Sequence, residues 1–379
     1  MEKRRVLIFI DWFYPGYKAG GPTTSNVNIV EHLKDEFDFY VVTTDTDYHE
    51  ACPYQGVTTD RWIKQNGYNI YYFSKGHLSF AALKKCVKEA ACNVWYVNGI
   101  YSRFFSIYPV VLAKMIRPKR VIVSARGMLS PHALAIKPHI KRGYILAAKL
   151  LGLFDEVTFH ATNDEEKGYI RNLFGQATKA ESIENLPRKM LIDYSYTAKT
   201  INEVKLVSFA RISPEKNTLF AIKCLTYCKS QVTYHIYGQI NSQSYWNECV
   251  DAIKELPGNV NVEYKGTVAP NDMANVYHNY NFLYLPSTGE NFGHAILESF
   301  INSTPVIISD KTPWTGLADK SVGWDLPLSN GRLFADTIDM CAALPEDEYR
   351  TMTIKAYEFA KSVCDNQDTK HKYIELFSL

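Results

Sequence analysis

The chain has 379 residues, of which 46% are hydrophobic and 22% charged, and its net charge is +2. That is ordinary globular composition, which excludes disordered and fibrous classes, and the length exceeds what one hydrophobic core serves, so two domains of roughly 180 residues are expected. Eight cysteines at positions 52, 86, 92, 224, 228, 249, 341 and 364 lack the paired spacing of a zinc site and are read as reduced thiols packed as small apolar groups.

In chain order, "MEKRRVLIFIDWFYPG" has a short apolar run that Asp11 ends. It is too short for a signal-peptide core and reads as a first buried strand. No window approaches the roughly 18 to 20 uninterrupted apolar residues of a membrane span, so a cytoplasmic protein is expected. Next, "YPGYKAGGPTTSNVNIVEHL" places Gly20 and Gly21 where backbone amides can approach a ligand at a helix start, an anion-binding arrangement; the plain alternative is a tight turn that needs positive φ. The runs "FDFYVVTT", "YNIYYF", "NVWYVNG", "RVIVSARG" and "EVTFHATN" alternate with helical segments, the pattern of a parallel sheet covered on both faces. "TTDTDYHE" carries Asp45 and Asp47 in a DxD pattern, for which structural or acceptor-side use is expected over metal binding.

From Ala90 to Phe154 there is no Asp or Glu but ten Lys and Arg, a field that attracts anionic partners. Within it, "PHALAIKPHIKRGYILAAKLLGLF" reads either as an interfacial helix leaning on an anionic membrane or as a helix burying one stripe in its own domain. His132 and His139 are expected to face solvent or lipid phosphate. Nucleic acid is not expected, because no binding motif accompanies the charge.

The pattern breaks at "IENLPRKMLIDYSYTAKTINE" and restarts with "VKLVSFA", "TYHIYG", "NVEYKG", "NFLYLP" and "TPVIIS". The expected division is therefore 1–188, 189–358 and a terminal helix over 359–379. In doubly wound domains ligands bind at the carboxyl ends of the strands. There, "ARISPEKN" offers Arg211 and Lys216, two cations suited to a pyrophosphate whose negative charge grows as a bond breaks. "STGENFGHAILESF" offers the amides of Asn291, Phe292 and Gly293 at a helix start, with Glu290 before the helix and Glu298 on its early turns. Carboxylates accept paired hydrogen bonds from vicinal hydroxyls, so these two suit a sugar at one end and a ribose at the other. The bland alternative is a helix-dipole acid plus one exposed Glu.

In order and spacing, the glycine loop, "ARISPEKN", "VEYKGTVAPNDMANVYHNYNFLYLPS", "TGENFGHAILESF" and "TPVIISDKTPW" resemble the family 4 nucleotide-sugar glycosyltransferases, and "SARGMLSPHAL" resembles their bacterial polysaccharide branch. The resemblance implies an α/β GT-B fold of two Rossmann-like, doubly wound domains facing a cleft, the first for the acceptor and the second for the donor. It implies that Arg211 and Lys216 hold the donor diphosphate, and that Glu290 with the loop amides, and His294 beside them, holds the transferred sugar. Glu298 would hold the ribose, the backbone around Tyr264, Gly266 and Thr267 would meet the base, and Gly20 and Gly21 would face donor phosphate and acceptor. Many relatives carry a His where this chain has "SARGML", and Arg126 is expected to take part of its place on the acceptor side, with His132.

The implied activity is retaining transfer from a UDP-sugar or GDP-sugar to a saccharide or polyprenyl-linked acceptor in surface polysaccharide or glycolipid synthesis. No metal and no cofactor are expected, and the expected location is the cytoplasm, on the inner face of the membrane. The alternatives are another GT-B activity, such as a nucleotide-sugar epimerase or a phosphorylase, and a catalytically silent sugar-nucleotide-binding subunit.

Overall fold

The computed structural model describes residues 3–189, 192–270 and 272–378. The chain forms two units, Met1–Leu186 with Asn366–Leu379, and Pro187–Asp365.

The first unit runs β1 (Arg4–Phe9), α1 (Gly21–Leu33), β2 (Phe37–Thr44), β3 (Trp62–Gln65), β4 (Tyr68–Phe73), α2 (Phe80–Ala90), β5 (Val94–Asn98), α3 (Tyr108–Ile116) and β6 (Arg120–Ser124). It continues through α4 (Pro131–Ala135), α5 (Pro138–Leu150), β7 (Thr158–Ala161), α6 (Asp164–Phe174) and β8 (Ala180–Ser182). The sheet order is β3-β4-β2-β1-β5-β6-β7-β8. Every pair is parallel except β3 with β4. Apolar residues at successive positions make this possible, because a strand's side chains alternate between faces. Leu7 and Phe9 enter one core with Trp95 and Val97, whereas Val6 and Ile8 enter the other with Phe39 and Tyr96.

The second unit runs β9 (Glu203–Phe209), α7 (Thr218–Leu225), β10 (Gln231–Tyr237), α8 (Gln243–Lys254), β11 (Val260–Tyr264), α9 (Met273–Tyr277) and β12 (Phe282–Leu285). Then follow α10 (His294–Ile301), β13 (Val306–Ser309), β14 (Gly323–Leu326), α11 (Gly331–Ala343) and α12 (Glu346–Cys364). Its sheet, β11-β10-β9-β12-β13-β14, is parallel throughout and again covered by a core on each face.

After α12 the chain returns to the first unit as α13 (Asp368–Phe377), which buries Tyr373, Leu376 and Phe377 with Val6 and Ile8. The change of unit falls between Asp365 and Asn366 rather than at 358, because α12 keeps burying Ala360 and Cys364 in the second unit to its end. Among the described residues no helix is long and apolar enough to cross a membrane. All eight cysteines are free thiols, and Cys52 alone is exposed.

In each sheet the strand order reverses once, between β1 and β5 and between β9 and β12. At such a point the connections leave toward opposite faces and the loops at the carboxyl ends part, which is where α/β folds take ligands.

Phe377 is fully buried, with its ring 5.7 Å from Phe37 and 5.6 Å from Tyr96. Phe377→Ala is expected to cost the first unit about 3–5 kcal/mol, the usual cost of a Phe-sized cavity, measured by urea unfolding; an unchanged midpoint would show that α13 contributes nothing to that core.

Candidate active site

The second unit's reversal point lies between the loops that follow β9 and β12. After β9 the chain makes a short 3-10 turn, Pro214–Lys216, and Asn217 in the left-handed region (φ 58°) caps the start of α7. The two loops are tied together: Asn217 Nδ2 donates to the Pro286 carbonyl at 3.0 Å, and the Thr288 amide donates to the Glu215 carbonyl at 2.9 Å. This clamp presents Lys216 to Glu290, and Lys216 Nζ lies 2.6 Å from Oε1 and 2.8 Å from Oε2. The two side chains are 22% and 10% exposed, sheltered enough for the pair to resist solvent screening yet reachable from solution. Arg211 lies on the same loop, exposed, and has no hydrogen-bond or ionic partner among the described residues.

Past Glu290, Asn291 is exposed, and Gly293 (φ 79°) turns the chain into α10. Glycine is needed there, since a Cβ would come within 2.9 Å of Ile296 Cδ1 and 3.0 Å of Trp314 Nε1. Trp314 Nε1 donates to the Phe292 carbonyl at 2.5 Å, fixing the loop from the β13 side, and the His294 ring lies 4.8 Å from that of Phe292.

Glu298, on α10, is nearly buried, and Arg188 Nη1 lies 3.4 Å from its Oε2. Burial raises the Glu298 carboxyl above its ordinary value, and the Arg188 charge and hydrogen bond oppose that rise. Neither Arg188 nor Trp314 is signalled as a site residue by local sequence; their partners are 110 and 22 residues away.

At the ends of β10 and β11, the Gly238 amide donates to the Gly266 carbonyl at 2.8 Å and Tyr264 Oη to the Gly238 carbonyl at 2.9 Å. Gly238 itself passes so close to the Ala210 carbonyl that a Cβ would sit 1.8 Å from its oxygen. Tyr264 and Thr267 are exposed on this rim. Arg211, Lys216, Gly266, Glu290 and the α10 start thus all lie on loops at the carboxyl edge of one sheet.

The first unit holds the remaining expected residues. Gly20 (φ 74°) caps α1, Gly21 is its exposed first residue, and Asn26 on α1 donates to Asn98 Oδ1 at 2.8 Å. Arg126, just past β6 with φ 52°, donates Nε to Asn98 Oδ1 at 2.9 Å, Nη2 to Tyr96 Oη at 2.9 Å, and Nη1 to Asn185 Oδ1. Tyr96 Oη is in turn 2.7 Å from Nδ1 of the fully buried His160, whose pKa burial and the Arg126 charge lower to about 3. All three guanidinium nitrogens are thus engaged within its own unit. Asp47 accepts from the amides of Tyr17 and Lys18, at 3.0 and 3.2 Å, so half of the DxD pattern is spent on holding the glycine loop. His139 is exposed, and the side chain of His132 lies outside the described residues. Among the described residues no group of three His, Cys, Asp or Glu could hold a metal ion.

Two Rossmann-like units of this topology define the GT-B fold. Residues 197–350, within the second unit, match the family described as Glycosyl transferases group 1. No curated protein sequence matches the chain. Among solved structures, HepE of Anabaena in complex with UDP and glucose is 17% identical with a TM-score of 0.69, each chain covered over 99%. Sucrose-phosphate synthase of Thermosynechococcus elongatus is 14% identical with a TM-score of 0.70, covering 99% of this chain and 98% of its own. WaaG, a glycosyltransferase involved in lipopolysaccharide biosynthesis, is 13% identical with a TM-score of 0.65, covering 98% of this chain and 99% of its own.

Removing Arg188 should raise the Glu298 pKa further. A carboxyl whose folded pKa exceeds its unfolded value destabilises the fold once the pH is high enough to ionise it. Arg188→Ala is therefore expected to lower the denaturation midpoint at pH 7.5, with the deficit closing as the pH falls toward the usual carboxyl value of 4.5. A deficit independent of pH would show that Arg188 only packs.

Proposed function

We propose that the chain is a retaining glycosyltransferase that takes a sugar from a nucleoside diphosphate. The observation that carries this reading is the Lys216–Glu290 pair spanning the second unit's reversal point, inside the segment that matches the glycosyltransferase family. Ribose, diphosphate and sugar differ in what they require, and the carboxyl edge offers each a partner. Glu298 accepts from the ribose hydroxyls, Arg211 and Lys216 neutralise the diphosphate, and Glu290 with the Asn291, Phe292 and Gly293 amides takes the sugar hydroxyls. His294 stands beside the sugar, and the base lies along Tyr264, Gly266 and Thr267. Uridine is the favoured base, since the HepE structure holds UDP and glucose.

On this reading Lys216 is shared between Glu290 and the phosphates. As the bond from the anomeric carbon to the phosphate oxygen breaks, charge accumulates on the leaving diphosphate, and two fixed cations stabilise that charge more than the ground state, which is the condition for catalysis. The departing phosphate oxygen takes the proton of the incoming hydroxyl on the same face, retaining the configuration with no metal. The first unit supplies the acceptor side through Gly20, Gly21, Arg126 and His132, and the second unit the donor side. The acceptor is a saccharide or polyprenyl-linked saccharide at the inner face of the cell membrane, in the synthesis of a surface polysaccharide or glycolipid.

A thermal-shift panel of UDP, GDP, ADP, CMP and NAD tests the reading, because a ligand of the folded state raises the melting temperature. One nucleoside diphosphate is expected to stabilise the wild type and not Arg211→Ala; no response, or a response to NAD alone, would remove the reading. Glu298→Ala is expected to weaken nucleotide binding by about 1.5–3 kcal/mol, the scale of a hydrogen bond to a charged group, by calorimetry; an unchanged dissociation constant would remove the ribose assignment.

A further inference from the structure

We propose that Asp11 is an acceptor-binding residue of the first unit, a carboxylate that takes a hydrogen bond from a sugar hydroxyl, and that Ser102 is the positioning residue that aims it. The inference rests on the transferase reading and names a contact within its acceptor side. The two residues come from opposite sides of the first unit's reversal point, Asp11 just past β1 and Ser102 just past β5. Ser102 Oγ donates to Asp11 Oδ1 at 2.6 Å. As between β9 and β12, a carboxylate on one loop is held by a donor on the other, but here the donor is a neutral hydroxyl in place of a lysine.

The surroundings fix both partners. The Asp11 carbonyl accepts from the Thr44 amide at 3.2 Å and from Thr43 Oγ1 at 3.1 Å, which ties it to the end of β2. Thr23 Oγ1, on α1, donates to the Trp12 carbonyl at 2.9 Å, so Asp11 stands beside the turn that carries Gly20 and Gly21. Ser102 opens a π-helical turn, Arg103–Ile107: its Oγ accepts from the Phe105 amide at 3.2 Å and its carbonyl from the Ile107 amide at 2.8 Å. Turns of this kind are rare and concentrate at functional sites.

A plain staple between two loops needs no charge. Among the described residues Ser102 is the one side chain bonded to the partly buried Asp11 carboxyl, and no cation pairs with it. Burial raises that carboxyl above its ordinary value, and the Ser102 hydroxyl opposes the rise. Asparagine would hold the same hydroxyl without desolvating a charge, so a carboxylate here points to a ligand. Its chemistry names the ligand: a carboxylate repels phosphate and accepts from sugar hydroxyls. Arg126, the cation nearest this edge in the polar network, is already committed to Asn98, Tyr96 and Asn185.

Release of UDP from UDP-glucose, with octyl glucoside, octyl galactoside and octyl mannoside as acceptor probes, tests the assignment. At least one glycoside is expected to speed release above the rate in water alone. Asp11→Asn preserves the shape, and it is expected to raise the KM for that glycoside about tenfold, by more than any change in kcat, with the KM for UDP-glucose unchanged. Its melting temperature at pH 7.5 should equal or exceed the wild-type value, because a carboxyl whose pKa is raised by folding destabilises the fold when ionised. Ser102→Ala should raise the same KM about threefold and add nothing to Asp11→Asn in the double variant, the mark of a residue that acts through another. An unchanged glycoside KM in Asp11→Asn, or a lower melting temperature with kcat and both KM values altered together, the mark of a plain staple, would overturn the proposal. So would a wild type that UDP stabilises but no glycoside accelerates, which leaves the donor reading standing; a wild type that UDP does not stabilise removes both.

Discussion

A parallel sheet can reverse its strand order only by sending two neighbouring connections to opposite faces, and between β9 and β12 this leaves two loops side by side at one edge. Their polar backbone needs partners, and it finds them across the gap, through Asn217 to Pro286 and Thr288 to Glu215. The consequence is a fixed distance between the cation of one loop and the carboxylate of the other. Lys216 and Glu290 pair because the topology puts them there; 74 residues separate them in sequence. A sheltered ion pair of this kind contributes little net stability once desolvation is counted, which makes preorganisation the better account of its presence.

The first unit uses its own reversal point differently. There the charge of Arg126 is distributed over Asn98, Tyr96 and Asn185, and Tyr96 passes the network on to His160. Neutral His160 donates from Nε2 to the Ile183 carbonyl, 2.8 Å away, and the same nitrogen lies 3.5 Å from Tyr373 Oη on α13. The returning terminal helix is thus joined to the same polar chain that holds Arg126. Burial and the neighbouring guanidinium hold this imidazole in its neutral form, in which it links Tyr96 to the Ile183 carbonyl.

The strands with continuous apolar runs were legible in the sequence, because a strand buried on both faces must be apolar at nearly every position. β3, β8 and β14 were not: β3 is an edge strand with no fully buried residue, β8 has three residues, and β14 buries only its first and last. The loops bearing Arg211, Lys216 and Glu290, and the helix start that leads to Glu298, were legible from their place after apolar runs. Arg188, Trp314, Asn98 and Asn185 were not, since each gains its meaning from a partner brought near by the fold. Asp47 shows the converse, a motif that local pattern offers and geometry spends on the Tyr17 and Lys18 amides.

Hydrogen exchange of the wild type with and without UDP tests most directly whether the β9–β12 reversal point is the donor site. The account predicts slowed exchange at residues 211–217, 264–267 and 290–298, with α11 and the amino ends of the strands unchanged. Protection confined elsewhere in the second unit, or none at saturating UDP, would contradict it.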